Sequence, residues 1–268
     1  MKKENKGAAA ILILILIYLL IPLVVSIIYS MFSNWTGIVP KGFTLETYAK
    51  LFRDKAFLAS LGRTVLIAII PILITILLIL LALFVTTVYF PRLEKYVQII
   101  CMIPYTIQGV ILSVSILSLY LRSPVGFLKN RILMLIGAYC IIILPYIYQG
   151  IRNGMRAVNM PVLLEAAEML GASRIYAFFR VIVPNILSAI IVSSLLAVGI
   201  IFGDYVLVRN LAGSKWENVQ MYLYQAMKSD SMKSSAVFVI IMAVTFAISA
   251  VVLYLRSRES RGRKRVDD

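Results

Sequence analysis

Six stretches of this chain contain no Asp, Glu, Lys or Arg: Ala8 to Phe32, Thr64 to Phe90, Tyr96 to Leu121, Ile132 to Ile151, Val181 to Gly203 and Ser234 to Leu255. At about 1.5 Å of rise per residue, each is long enough to cross the roughly 30 Å of hydrocarbon in a bilayer. With 61% hydrophobic and only 15% charged residues, the 268-residue chain is too apolar to be an ordinary soluble domain. The runs are continuously apolar, whereas membrane barrel strands alternate over about ten residues. The expected fold is therefore all-α and polytopic, with six transmembrane helices. No linker, repeat or soluble insert divides it, so residues 1–268 read as a single transmembrane domain with a polar loop at 152–183.

Met1-Lys2-Lys3 before an apolar run resembles a secretory leader. The run is too long for one, and no small-x-small cleavage site follows before Trp35, so the segment reads as the first span. Charge is +15, yet the basic residues cluster at helix ends, with no stripe interleaved with aromatics, which argues against nucleic acid as a partner. The tail RSRESRGRKR, Arg256 to Arg265, reads as a cytoplasmic stop signal with affinity for anionic lipid. With both termini cytoplasmic, the inner segments carry fifteen of the 27 basic residues, a bias strong at the tail and weak elsewhere. Cys101 and Cys140 fall inside spans and there is no His, so no metal site, disulfide framework or catalytic residue is expected.

In that frame the outer loops are 33–63, 122–131 and 204–233. In the first, Thr44 is placed to cap a surface helix with Leu45, Tyr48, Ala49 and Phe52 on one face. Pro22, Pro71, Pro104 and Pro145 lie within spans, either as packing irregularities or as hinges. Gly199 and Gly203 form a GxxxG pair, which permits a close helix contact.

The inner loop is the unusual element. Pro161 suits a first helical turn, Glu165 and Glu168 share one face, and Leu163, Ala167 and Leu170 share another. Gly171 stops the helix, Ser173 is placed to cap a second one, and Pro184 opens the fifth span. The physics alone fits a surface helix that covers loop backbone as well as it fits a docking handle, where small Ala166 and Ala167 let a partner approach.

The spacing Glu165-Ala166-Ala167, three residues, Gly171, nine residues, Val181-x-Val183-Pro184 resembles the EAA signature of permease subunits of binding-protein-dependent ABC importers, EAA-x3-G-x9-I-x-L-P. Val181 and Val183 depart conservatively from Ile and Leu. The resemblance implies the type I ABC importer permease fold, with the insert as a coupling helix docked on a partner ATPase. It also implies an ATP-binding subunit dimer carrying ATP and Mg, a second permease that is a homologue, an extracellular or periplasmic substrate-binding protein, and a bacterial inner-membrane location. This chain binds no cofactor itself and has no GxxxxGK[ST] loop. GFTLETY, Phe202 to Tyr205 and NVQMYLYQAM, Asn218 to Met227, are similar to permeases of the spermidine/putrescine type and their 2-aminoethylphosphonate and ferric-ion relatives. The expected cargo is a polyamine, with 2-aminoethylphosphonate, ferric ion or another small solute as alternatives. Asp204, with Tyr205, is placed to attract a polycation at the outer mouth, or is a helix-end carboxylate paired with Arg209. A secondary transporter is the rival class, disfavoured because the spans hold no ionisable carboxylate or basic group for ion coupling.

Overall fold

The computed structural model describes residues 6–34, 41–107, 109–122 and 124–264. Lys2, Lys3, Trp35 and Arg265, used above, lie outside the described residues. In order, the elements are α1 (Lys6–Ser30), β1 (Phe32–Asn34), β2 (Lys41–Phe43), α2 (Glu46–Arg53), α3 (Lys55–Val88), α4 (Glu94–Met102), α5 (Gly109–Tyr120), α6 (Arg131–Ala157), α7 (Met160–Met169), α8 (Arg174–Ala177), α9 (Val183–Asn185), α10 (Leu187–Gly203), α11 (Val219–Ser229) and α12 (Ser231–Lys264).

Four helices cross a bilayer's thickness unbroken: Ile11–Ser30, Lys55–Val88, Arg131–Ala157 and Ser231–Tyr254. Two bent pairs bring the candidate spans to six when each pair is counted as one: Pro91–Thr106 with Gly109–Tyr120, bent by 103°, and Arg174–Asn185 with Leu187–Gly203, bent by 64°. A helix closes its own backbone hydrogen bonds, the requirement hydrocarbon imposes. The prolines are not equivalent. Pro22, Pro71 and Pro145 stay inside α1, α3 and α6, while Pro104 sits in the 3-10 turn Ile103–Thr106 that ends the first half of span three. Span five does not open at Pro184: it begins at Arg174, runs through a π-helical stretch at Phe178–Ile182, and breaks at Ile186.

The chain divides into two units, Met1–Ala59 with Tyr222–Val244, and Ser60–Met221 with Thr245–Asp268. In the first, β1 and β2 form an antiparallel hairpin that sequence periodicity did not reveal, pairing Phe32 with Phe43 and Asn34 with Lys41. Thr44 Oγ1 accepts from the Glu46 N–H at 3.1 Å, one residue ahead of the cap position. The apolar face of α2 is rotated from expectation: Leu51 is its buried residue, and Leu45 and Phe52 are exposed. The Ser30 and Tyr48 hydroxyls meet at 2.5 Å. At the foot of α3 the Tyr222 hydroxyl donates to Asp54 Oδ2 at 2.5 Å, and Lys233 Nζ lies 3.7 Å from the same oxygen. The Tyr222 hydroxyl, with the N–H groups of Ala56 and Phe57, holds the Asp54 carboxyl below the usual carboxylate range against the opposing effect of burial.

In the second unit α6 is the core helix, with Tyr139, Ile143, Ile147, Tyr148 and Ile151 all buried. It packs on α10 where Gly150 and Gly154 admit Ser193 and Ala189: a Cβ on Gly150 would stand 2.8 Å from Ser193 Oγ, and one on Gly154 2.5 Å from Ala189 Cβ. The GxxxG contact thus lies in α6. Gly199 and Gly203, the pair marked above, have nothing within 4 Å of an added Cβ. Arg152 ties α4 to α6 through two bonds to Glu94, at 2.8 and 2.9 Å. The stretch expected as a loop over 204–233 holds the helix α11, anchored by Val219 N–H to Thr64 Oγ1 at 2.9 Å and by Asn218 Nδ2 to the Asp204 carbonyl at 2.9 Å.

Candidate functional site

The loop joining α6 to α10 is a fixed structure. Asn159 turns the chain in the left-handed region at φ 49°, and Met160 and Pro161 start α7. At its far end Gly171 adopts φ 82°, conformational space that glycine enters without steric cost. There the Ala172 N–H donates to the Ala167 carbonyl at 3.0 Å and the Gly171 N–H to the Glu168 carbonyl at 2.9 Å. This pair of bonds is a Schellman closure, with Gly171 in the glycine position. Ser173 then caps α8, accepting from the Tyr176 N–H at 3.3 Å. Glu168 and Arg174 pair across the elbow. The exit is anchored by Phe178, fully buried, whose ring lies 4.8 Å from that of Phe84.

This geometry redistributes the residues marked in the sequence. Glu165 and Ala166 are exposed, Ala167 is buried on the inner face, and Gly171 forms the elbow. Val181, Val183 and Pro184 lie half-buried in the bent knee that leads into α10. Leu170 does not share the packed face with Leu163 and Ala167. The helix ends at Met169, and the turn leaves Met169 90% and Leu170 89% exposed. Two apolar side chains held this far out on the elbow form a knob that the rest of the chain does not cover.

Asp204 and Tyr205 stand at the far end of α10. The Asp204 carboxylate accepts from the Tyr139 hydroxyl at 3.0 Å and from the Leu207 N–H at 3.1 Å, so it caps the turn that follows α10. Gln220 Nε2 donates to the Phe202 carbonyl at 2.8 Å, closing the same end.

A third feature escaped sequence reading. Along the α6–α10 seam runs an open groove of about 470 Å³, lined by Tyr146, Gln149 and Asn153 on one side and Ser188, Val192 and Leu196 on the other. Its signal was present, since Gly150 and Gly154 repeat the GxxxG spacing and Tyr146, Gln149 and Asn153 follow at helical intervals.

The model of the family described as binding-protein-dependent transport system inner membrane component matches residues 93–259. The chain belongs to this family. It is the permease subunit of an ABC importer, a multi-pass inner-membrane protein, and not itself an enzyme. Among curated relatives, a permease named for a 2-aminoethylphosphonate transport system in Salmonella typhimurium is 20% identical, covering 98% of this chain and 97% of that protein. The putrescine transport system permease of Escherichia coli strain K12 is 26% identical over 95% of this chain and 92% of its own length. The spermidine/putrescine permease of Haemophilus influenzae is 23% identical, covering 94% and 96%. Two crystal structures of a bacterial alginate ABC transporter, one with an alginate pentasaccharide-bound periplasmic protein, superpose with TM-scores of 0.70 and 0.74 at 18% and 19% identity, each over 96% of both chains. The fold is that of type I importer permeases.

Proposed function

We infer that this permease is driven through the loop Met160–Ala177, which an ATP-binding subunit grips. The observation that carries this reading is the near-complete exposure of Met169 and Leu170 on a helix end immobilised by the Gly171 closure, the Ser173 cap and the Glu168–Arg174 pair. An apolar knob on a stiff stem transmits a push, and a slack loop would absorb it. Glu165, Ala166 and Ala167 form the surface beside the knob, and Val181, Val183 and Pro184 the knee that passes movement to α10. The ATP and Mg belong to a dimer of ATPase subunits, a second permease homologue completes the pore, and a binding protein delivers the solute from outside. The loop and both termini face the cytoplasm, as the six-basic tail favours.

The test is co-purification. Gly171→Leu, Glu165→Lys and Leu170→Asp should each lower the ATPase subunit recovered with the permease, or uncouple its hydrolysis from substrate, while all six spans still insert. Normal attachment and transport in all three variants would reduce the loop to a surface helix.

For cargo, we favour a polyamine. The support is the similarity to putrescine and spermidine/putrescine permeases. The likeness to a 2-aminoethylphosphonate permease, at slightly greater coverage, keeps that aminated solute as the second reading. Asp204, with Tyr205, would attract a polycation at the outer mouth, although its carboxylate also serves Tyr139 and Leu207.

A further inference from the structure

Arg152 immediately follows the charge-free run Ile132 to Ile151, where a basic side chain at a membrane boundary ordinarily reaches outward to headgroups and water. It turns inward instead. Its Nη2 and Nε converge on Glu94 Oε1 at 2.8 and 2.9 Å, its guanidinium stands 5.9 Å from the centre of the buried Tyr148 ring, and its side chain is only 16% exposed. Arg156, one turn on, is exposed as a boundary arginine should be. Sequestering an ion pair costs desolvation that can exceed its attraction, so a well-packed apolar pair would hold the two helices at least as tightly. What the charges add is geometry. A guanidinium fork accepts a carboxylate in few positions, and neither partner can leave without stranding the other.

The pair is the first rung of a ladder. Gln149 donates to the Met102 thioether at 3.3 Å, and the Tyr146 ring meets that of Tyr105 edge-on at 5.0 Å. The rungs fall on α6 from Arg152 through Gln149 to Tyr146 as they rise on the facing segment from Glu94 through Met102 to Tyr105, so that segment is fastened along its length. Past Thr106 the chain turns by 103° into α5. A thioether is a weak acceptor and a ring contact is non-directional enough to slide, so of the three rungs only Glu94–Arg152 fixes position firmly. On its other side Arg152 stands eight residues, about 12 Å of helical rise, before Met160, where the loop assigned to the ATPase begins. We propose that Glu94 and Arg152 are positioning residues of the drive: their pair braces α4 to α6, so that movement entering at Met160–Ala177 carries the first half of span three along with α6. The inference rests on the coupling reading above and adds to it the residues that pass the movement to a second span.

The experiment uses the permease assembled with its ATPase subunits in lipid nanodiscs, with Cys101 and Cys140 replaced by Ala. Spin labels on Lys95→Cys in α4 and Asn153→Cys in α6, both exposed positions, report the separation of the two helices by electron paramagnetic resonance. The nucleotide-free complex is compared with one trapped by ATP and vanadate. With the brace intact, a single narrow distance should persist unchanged in both states. Glu94→Gln should lose it, the distribution broadening or shifting once the ATPase is trapped, and Arg152→Gln should do the same from the other side. A purely structural pair would lower the melting temperature of these variants without making the distance depend on nucleotide. A distance that changes with nucleotide in the braced complex overturns the proposal, because α4 then does not follow α6. So does retention of the narrow distance in both states by the two glutamine variants. Failure of the ATPase to co-purify with the otherwise native chain would overturn the coupling reading, and this inference with it, before any distance is measured.

Discussion

Gly154→Ala is a sharp test of how α6 meets α10. The new Cβ would stand 2.5 Å from the Ala189 Cβ and 3.4 Å from the Ile186 Cβ. All three are atoms whose positions the backbone fixes, so no rotamer change relieves the overlap. Carbons in contact sit about 3.5–4.0 Å apart, so the helices must part by about 1 Å, which forfeits about a quarter to a half of each contact's attraction. Overpacking of this kind costs about 1–3 kcal/mol. Opposing it is the helical preference for Ala over Gly, worth about 1 kcal/mol. Gly137, on the same helix with nothing within 4 Å, isolates that preference, so the difference between Gly154→Ala and Gly137→Ala reports the clash alone. The assay is thermal unfolding of the detergent-solubilised, fluorescently tagged chain. At about 2–4 °C per kcal/mol, Gly154→Ala should melt about 4–8 °C below Gly137→Ala for a clash of about 2 kcal/mol. Adding Ala189→Gly should recover much of the loss. Coincident melting of the two alanine variants, or no recovery on Ala189→Gly, would refute the close seam.

Three further outcomes are expected. Tyr222→Phe should lower thermal stability near neutral pH; because the Asp54 carboxyl is depressed, its stabilisation is present above the ordinary carboxylate range and is lost as pH falls through the folded value, so the gap to the native chain should close in acid. A gap that does not change with pH would mean that Tyr222 acts through packing alone. Asp204→Asn and Tyr139→Phe should each destabilise the chain by about 1–3 kcal/mol, the cost of leaving a buried hydrogen-bonding partner unsatisfied, read as a lowered melting temperature; unchanged melting with impaired polycation uptake would return Asp204 to the solute path. Cysteines at Lys41 and Lys215 should react with an impermeant reagent on intact cells and one at Arg263 should not, and the reverse pattern would invert the topology.

Composition and motif spacing determined a great deal by themselves. Hydrocarbon admits only helices whose backbones are internally satisfied, so uncharged runs of this length fix the class and nearly fix the number of spans. The loop motif was equally legible, because glycine at position 171 and serine at 173 act through local backbone geometry that needs no distant partner. Where a side chain's role depended on what lies across from it, the sequence was mute. Leu170 has the composition of a buried residue and the position of an exposed one, since its direction follows from where α7 terminates. Asp204 looks like a free mouth carboxylate until Tyr139, far away in the chain, is brought to it. Two GxxxG pairs are indistinguishable as text, and only tertiary packing puts Ser193 and Ala189 against Gly150 and Gly154 while leaving Gly199 and Gly203 open. The same packing aligns Tyr146, Gln149 and Asn153 with Ser188 across a seam, because two helices far apart in sequence present matching faces only once their crossing is set.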